Sequence, residues 1–407
     1  MNQDSNPPGS GLRFAVSLAL IAVLGPSATD MYLASMPEIA SELAVPYAQV
    51  QLTLTVFLLA MGLGQLLFGP IVDAFGRRRP LLAGLLAFAL ASLWASQAPS
   101  IGILLTSRFV QGLAGALTLV VVMSSVRDVA KGARAAQLFA LLMTIEGLAP
   151  VLAPAVGGYV DVHYGWRGVM LVLAAMGLLV LLNSAVALPE TLPRAARLPL
   201  RLRSVASTYA RIACDRAFLM PALALSSAFF VLFIYIAGAS LVYQQRFGLS
   251  PDRFGLVFGA TGVAVLLGAM SSGKLVQRAG VARLALIGAL LMVAGSGLAL
   301  AATAAQLGLP GIVLGMFIAM WGLGMAEATL MSMAMGSQHS ALGSTAALLG
   351  AFQLSISSAA TPLAGKVVVL GTTPWLAFML LASVVLLLLT RLSARQAPAT
   401  LHALAGH

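Results

Sequence analysis

The sequence predicts an all-α polytopic membrane protein, with twelve transmembrane helices arranged as two pseudo-symmetric six-helix bundles. Three observations predict it. A dozen apolar stretches of about twenty residues, each long enough to cross the hydrocarbon layer as a helix, fill nearly the whole chain. Hydrophobic residues make up 60% of the composition and charged residues only 9%. The basic residues gather in alternate gaps between the stretches. A bilayer accepts only helices or closed barrels, because every backbone polar group must be paired internally. These runs are too long and too uniformly apolar for barrel strands, which alternate.

The first six helices are expected near 14–36, 48–72, 80–97, 102–126, 135–160 and 166–188. The second six follow near 218–243, 252–273, 283–304, 309–334, 343–368 and 373–390. The organisation is thus a tail at 1–13, a bundle at 14–188, a linker at 189–217, a second bundle at 218–390 and a tail at 391–407. Residues 199–213 read either as a basic amphipathic helix on the membrane face or as a solvated loop. The first apolar run is long, carries Asp30 and is followed by further spans, so it reads as the first helix rather than a cleaved signal.

With the amino terminus inside, 18 of the 23 lysines and arginines fall on the cytoplasmic side, as the positive-inside rule requires. Both termini are then cytoplasmic. The net charge of +11 is accounted for by topology and anionic lipid rather than by nucleic acid. The single cysteine, Cys214, excludes an internal disulfide. Gly273-Lys274-Leu275 nearly spells a phosphate loop, but Leu275 replaces the Ser or Thr and no strand precedes it. The chain therefore reads as no enzyme, with no cofactor, no metal and no ATP. A proton gradient is the expected energy source.

Between the second and third helices runs Gly69-Pro-Ile-Val-Asp73-Ala-Phe-Gly76-Arg77-Arg78-Arg79. Its glycines permit a tight turn and close helix approach. Asp73 stands where an anion docks on the positive N-terminus of a neighbouring helix. Gly273 to Gly280 repeats the spacing after the eighth helix, with Gln277 at the place of Asp73. Repeats of this kind put a substrate path between the halves. Gly69, Asp73, Gly76, Arg77 and Arg78 fit a signature of the major facilitator superfamily, which the whole chain resembles. The resemblance implies that this loop latches the halves together in the outward-facing state. It also implies a monomer that moves small molecules by alternating access.

Leu105 to Gly115, with Arg108 and Gln111, resembles the fourth-helix motif of proton-coupled members. An intramembrane arginine needs a partner. At about 1.5 Å per residue, Asp30 and Arg108 both fall in the outer half, so they are expected in one polar network that takes part in proton coupling, with Asp30 a candidate proton carrier beside Glu146. Gly147 to Gly158, with Pro150, Pro154, Gly157 and Gly158, resembles the antiporter motif that marks exporters, although Ala153 stands where a glycine is usual. Prolines bend the helix and small residues let a neighbour approach. Thr29-Asp30-Met31-Tyr32-Leu33, Gln51-Leu-Thr-Leu-Thr and Gly64-Gln65 are similar to the bicyclomycin and chloramphenicol resistance branch. Within that branch the chain most resembles the phenicol exporters, and Met320-Trp321 fits them too, while Ala34 replaces a usual proline.

Glu146 stands apart from these resemblances. It falls near the midplane, immediately before the antiporter motif. Apolar surroundings penalise a charged carboxyl, so it is a candidate to exchange protons. Three roles are open to it: proton carrier, counter-charge to a cationic drug, or interhelical hydrogen bond. Glu327 is a candidate gate, second proton site or structural hydrogen bond. Tyr32, Gln111, Phe233, Tyr235, Phe258, Phe352 and Gln353 are the remaining candidates to contact substrate. The expected function is a proton-coupled exporter of drugs or other small amphipathic compounds in the inner membrane. The alternatives are an exporter of a metabolite or siderophore, or an importer of the same fold.

Overall fold

A computed structural model describes residues 12–130, 132–197, 199–200, 202–338 and 341–396. All regular structure among these residues is helical. The first half holds α1 (Arg13–Glu42), α2 (Tyr47–Phe75), α3 (Arg78–Ser96) and α4 (Ile101–Val129). The stretch Gly132–Ala187 is two helices, because Gly165 reverses the chain at φ 64°, a conformation that costs any residue with a Cβ. These are α5 (132–164) and α6 (166–187). After the linker, the second half holds α7 (Arg216–Arg246), α8 (Pro251–Ala279), α9 (Val281–Ala304), α10 (Gly308–Gly336), α11 (Leu342–Val368) and α12 (Thr372–Gln396).

Several helices outrun the expected spans, α8 by six residues at its end, at Ala279. Helix α12 runs to Gln396, six residues beyond the expected end at 390, while 397–407 lie outside the described residues, as do 1–11. Helix α1 reaches Glu42 but is interrupted: Leu24–Asp30 gives way to a turn, a short 3-10 segment at Leu33–Ser35, and then Met36–Glu42. Pro37 explains the second break. It has no N–H for the Leu33 carbonyl, so Met36 reaches that oxygen by a tighter turn. The linker contains a helix over Leu202–Cys214, the amphipathic alternative of the two expected there.

The two halves meet chiefly where α5 packs on α8 and α2 packs on α11. Within the second half, α7 crosses α12 so closely that a methyl on Gly238 would collide with the Trp375 indole. That indole is buried and donates to the Ile234 carbonyl at 2.9 Å. Gly238→Ala is therefore expected to destabilise by about 1–3 kcal/mol through overpacking. A lowered melting temperature of the purified protein is the readout; an unchanged one would mean that α12 yields at this crossing.

Candidate functional site

Arg108 of α4 is the most deeply buried charge in the first half, with no exposed surface. Its guanidinium lies between the rings of Tyr32 and Phe57, 4.3 and 4.4 Å from their centroids. Nη2 donates to the Ala28 carbonyl at 2.8 Å, close to where α1 loses its helical pairing. Nη1 donates to Gln111, which in turn donates to Ser92 of α3 at 2.7 Å. One side chain thus ties four helices together. Asp30 is buried nearby, but no ion pair joins it to Arg108 among the described residues. Instead Arg108 reaches α1 through a carbonyl and through the Tyr32 ring, whose hydroxyl shares a 3.1 Å hydrogen bond with Thr53.

At this end of the molecule the halves are sealed. Tyr47 and Gln51 of α2 both donate to the Ala237 carbonyl of α7, at 2.9 and 3.1 Å. Gln244 of α7 donates to the Ala34 carbonyl of α1 at 2.8 Å. The segment carrying Pro150, Pro154, Gly157 and Gly158 completes the seal. Gly157 lies against the Met31 carbonyl, and Gly158 against the Pro251 carbonyl of α8. From the opposite side Gly255 lies against the Pro154 carbonyl. A side chain at any of these points has no room. Gly255→Leu is expected to wedge α8 from α5, exposing this end to thiol reagents and lowering transport at least tenfold. Unchanged labelling of a cysteine placed at the buried Ala237, in a Cys214→Ser background, would show that the helices repack around the leucine.

The C-terminal end of α1 is fastened by groups that sequence reasoning missed. Ser35 donates to Asp161 of α5, and Glu42 receives Arg167 and, at 2.5 Å, the Trp166 indole. Asp161 follows the glycine pair by three residues, the only hint the sequence carries.

At the opposite, arginine-rich end, Gly76 turns the chain at φ 92°. Arg77 pairs with Asp73 at 2.6 Å and with Asp128 of α4 at 2.8 Å, while its backbone N–H donates to Glu190 at 2.8 Å. Arg78 donates to the Ala185 carbonyl at 2.6 Å. All these partners belong to the first half or the linker beside it. Asp73 does not dock on α11 in this state; it lines a cavity between the halves. Asp128 and Glu190 were not among the sequence candidates, although each adjoins a basic segment.

The cavity, of about 1230 Å³, reaches the arginine-rich end, where Asp73, Arg77, Arg127 and Asp128 line its mouth. Glu146 of α5 and Glu327 of α10 line it from the two halves, with Gln65 and Gln353 and a surround of methionines. Glu146 Oε1 is buried without a hydrogen-bond partner. Of the sequence candidates, Glu146, Glu327, Gln353, Gly69, Asp73 and Arg77 are therefore brought together here. Tyr32 and Gln111 are instead engaged with Arg108, outside the lining. Phe233, Tyr235 and Phe258 are buried in the second half, where Tyr235 and Phe258 stack at 5.1 Å and the Tyr235 hydroxyl meets Thr261 at 3.0 Å. Phe352 packs edge-on against Phe218 at 6.4 Å. In this state these aromatics pack within the second half rather than on the cavity wall.

An open cavity between two helical halves is the geometry of a carrier, and comparison with known proteins agrees. The Major Facilitator Superfamily profile matches residues 18–362. The uncharacterized MFS-type transporter YdgK of Bacillus subtilis is 36% identical over 88% of this chain and 90% of its own. The bicyclomycin resistance protein homolog of Haemophilus influenzae is 32% identical over 68% and 69%. Among solved structures, a bacterial homolog of the human lysosomal transporter Spinster, in its inward-facing and unoccupied conformation, has a TM-score of 0.70 at 15% identity. That likeness covers 98% of this chain and 97% of the other. The chain is a transporter of the Major Facilitator Superfamily and belongs with its bicyclomycin-resistance branch.

Proposed function

We propose that the protein is a proton-coupled exporter of small amphipathic compounds, working by alternating access of its two halves. One observation carries this reading: a cavity large enough for a drug-sized molecule holds one carboxyl from each half, Glu146 and Glu327. The cavity opens at the arginine-rich end, which the positive-inside rule assigns to the cytoplasm. Substrate enters there from the cytoplasm or the inner leaflet. A proton on Glu146 and a bound substrate exclude each other, and reciprocity makes each ligand expel the other. Useful coupling needs about 1.4 kcal/mol for each tenfold in mutual affinity. The halves then rock so that the glycine-lined seal opens outward while Asp73 and Arg77 come to latch the inner end. Arg108 stays beside the break in α1 and couples the state of that helix to the rest of the bundle.

Relatives named for bicyclomycin resistance support a drug-like substrate, of which phenicols are one candidate class. Export of a metabolite or siderophore is the second reading, since the cavity lining sets charged and amide groups among its apolar side chains. The test is the pH gradient of everted vesicles challenged with chloramphenicol, florfenicol and several lipophilic cations in turn. Dissipation by at least one compound is the expected result. Silence across the panel, with a control transporter responding, would exclude antiport of these compounds and direct the search to metabolites.

A further inference from the structure

Helix α2 contains Pro70, and a proline supplies no N–H to the carbonyl four residues earlier. That carbonyl belongs to Leu66. Such an oxygen is costly to leave unpaired beside hydrocarbon and is normally satisfied by a neighbouring group. Here the donor comes from outside both bundles. The hydroxyl of Tyr209, on the linker helix Leu202–Cys214, donates to the Leu66 carbonyl at 3.2 Å. Gly69 lies beside the same hydroxyl, 3.9 Å from where its Cβ would stand, an ordinary contact distance.

The linker helix is also held from its other end. Asp215, which follows it, accepts from the Ala217 backbone at the start of α7 at 2.9 Å. Its second oxygen accepts from Gln338, beyond α10, at 2.6 Å. Ser204, Val205 and Tyr209 line the same cavity as Glu146 and Glu327. The linker helix therefore lies along the cavity mouth, fixed to the second half at its end and to the first half through one hydroxyl.

We infer that the Tyr209 hydroxyl is a clasp for the inward-open state, with the proline gap in α2 as its socket. The inference rests on the proposed rocking of the halves, because closing the mouth brings α2 and α11 together where the linker helix now sits. Tyr209 then has to leave the Leu66 carbonyl, and the bond is counted only while the mouth is open. Asp73, one turn beyond Pro70 on α2, becomes free to engage the second half when the clasp releases.

The test uses the full-length protein with Cys214→Ser, spin-labelled at Arg79→Cys and Arg283→Cys, two exposed positions on the arginine-rich end of opposite halves. Distances between the labels report an open or closed mouth. Tyr209→Phe removes only the donor, and is expected to shift the ratio toward the closed mouth roughly three- to tenfold, the weight of one hydrogen bond. Pro70→Ala restores a backbone N–H to the Leu66 carbonyl, so in that background Tyr209→Phe is expected to change nothing. An equal shift in both backgrounds would overturn the inference, because the hydroxyl would then act elsewhere. So would an unshifted ratio in Tyr209→Phe while low pH still moves the wild type; that outcome leaves the rocking of the halves intact. A single, immovable distance in every variant would overturn the clasp and the rocking together.

Discussion

Glu146→Gln is expected to abolish the pH dependence of efflux, lowering proton-driven transport at least tenfold, while the protein still folds and reaches the membrane. Glutamine keeps the size of the side chain and its hydrogen-bonding oxygen but cannot take up or release a proton. The local structure demands little of the carboxylate: Oε1 is buried with no partner, and no ion pair involves it among the described residues. A carboxyl with an unpartnered buried oxygen on the wall of the cavity is placed for exchange rather than for stability. Normal pH-dependent efflux by the glutamine variant would remove Glu146 from the proton path and leave Glu327, across the cavity, as the remaining intramembrane candidate there.

Arg108→Ala is expected to lose transport by tenfold or more, a far larger effect than its effect on folding. Two opposing terms meet at this residue. Truncation empties the slot between Tyr32 and Phe57 and frees Gln111 and the Ala28 carbonyl, at a cost of about 2–5 kcal/mol by analogy with other large buried side chains. Against that, a guanidinium with no carboxylate partner has been removed from a dry interior, and breaking no ion pair recovers much of the cost. The fold survives while the tie between four helices is lost. Arg108→Lys is not expected to rescue, because an ammonium cannot reach a carbonyl and an amide at once while lying flat between two rings. Arg79→Ala, at an exposed position, serves as the control and is expected to transport within twofold of the wild type. Equal transport by the Arg108 and Arg79 variants would exclude Arg108 from the mechanism.

Much of the architecture was legible because the bilayer enforces it. Uninterrupted apolar runs leave the chain only helices, and arginine placement between them sets an orientation. The glycine-rich segment of α5 announced a close packing face, and the structure identifies the surface it meets: α1 and the glycine face of α8. Other features were hidden for physical reasons. In a helix that is apolar all round, nothing in the periodicity tells which flank faces lipid, cavity or core. Tyr235 and Phe258 therefore read as candidate substrate contacts, yet they stack on each other inside the second half. Asp30 and Arg108 share a depth, but depth does not give direction, and the break in α1 offers Arg108 a carbonyl instead. The expectation for Asp73 concerned the outward-facing state. Here, with the cavity open at the arginine-rich end, its partner is Arg77, four residues away, shared with Asp128. Pro70 was visible in the sequence, whereas the tyrosine that fills its gap comes from a linker 139 residues later and was not.

The most direct measurement is proton release from the purified, detergent-solubilised protein when a transported compound is added, followed with a pH indicator in weak buffer. Mutual exclusion of proton and substrate at the cavity carboxyls is expected to give a saturable release by the wild type, and none by Glu146→Gln at matched binding. Release of the same size from the glutamine variant would contradict the assignment of the proton to Glu146. Saturable binding by the wild type with no release at any pH would contradict antiport itself.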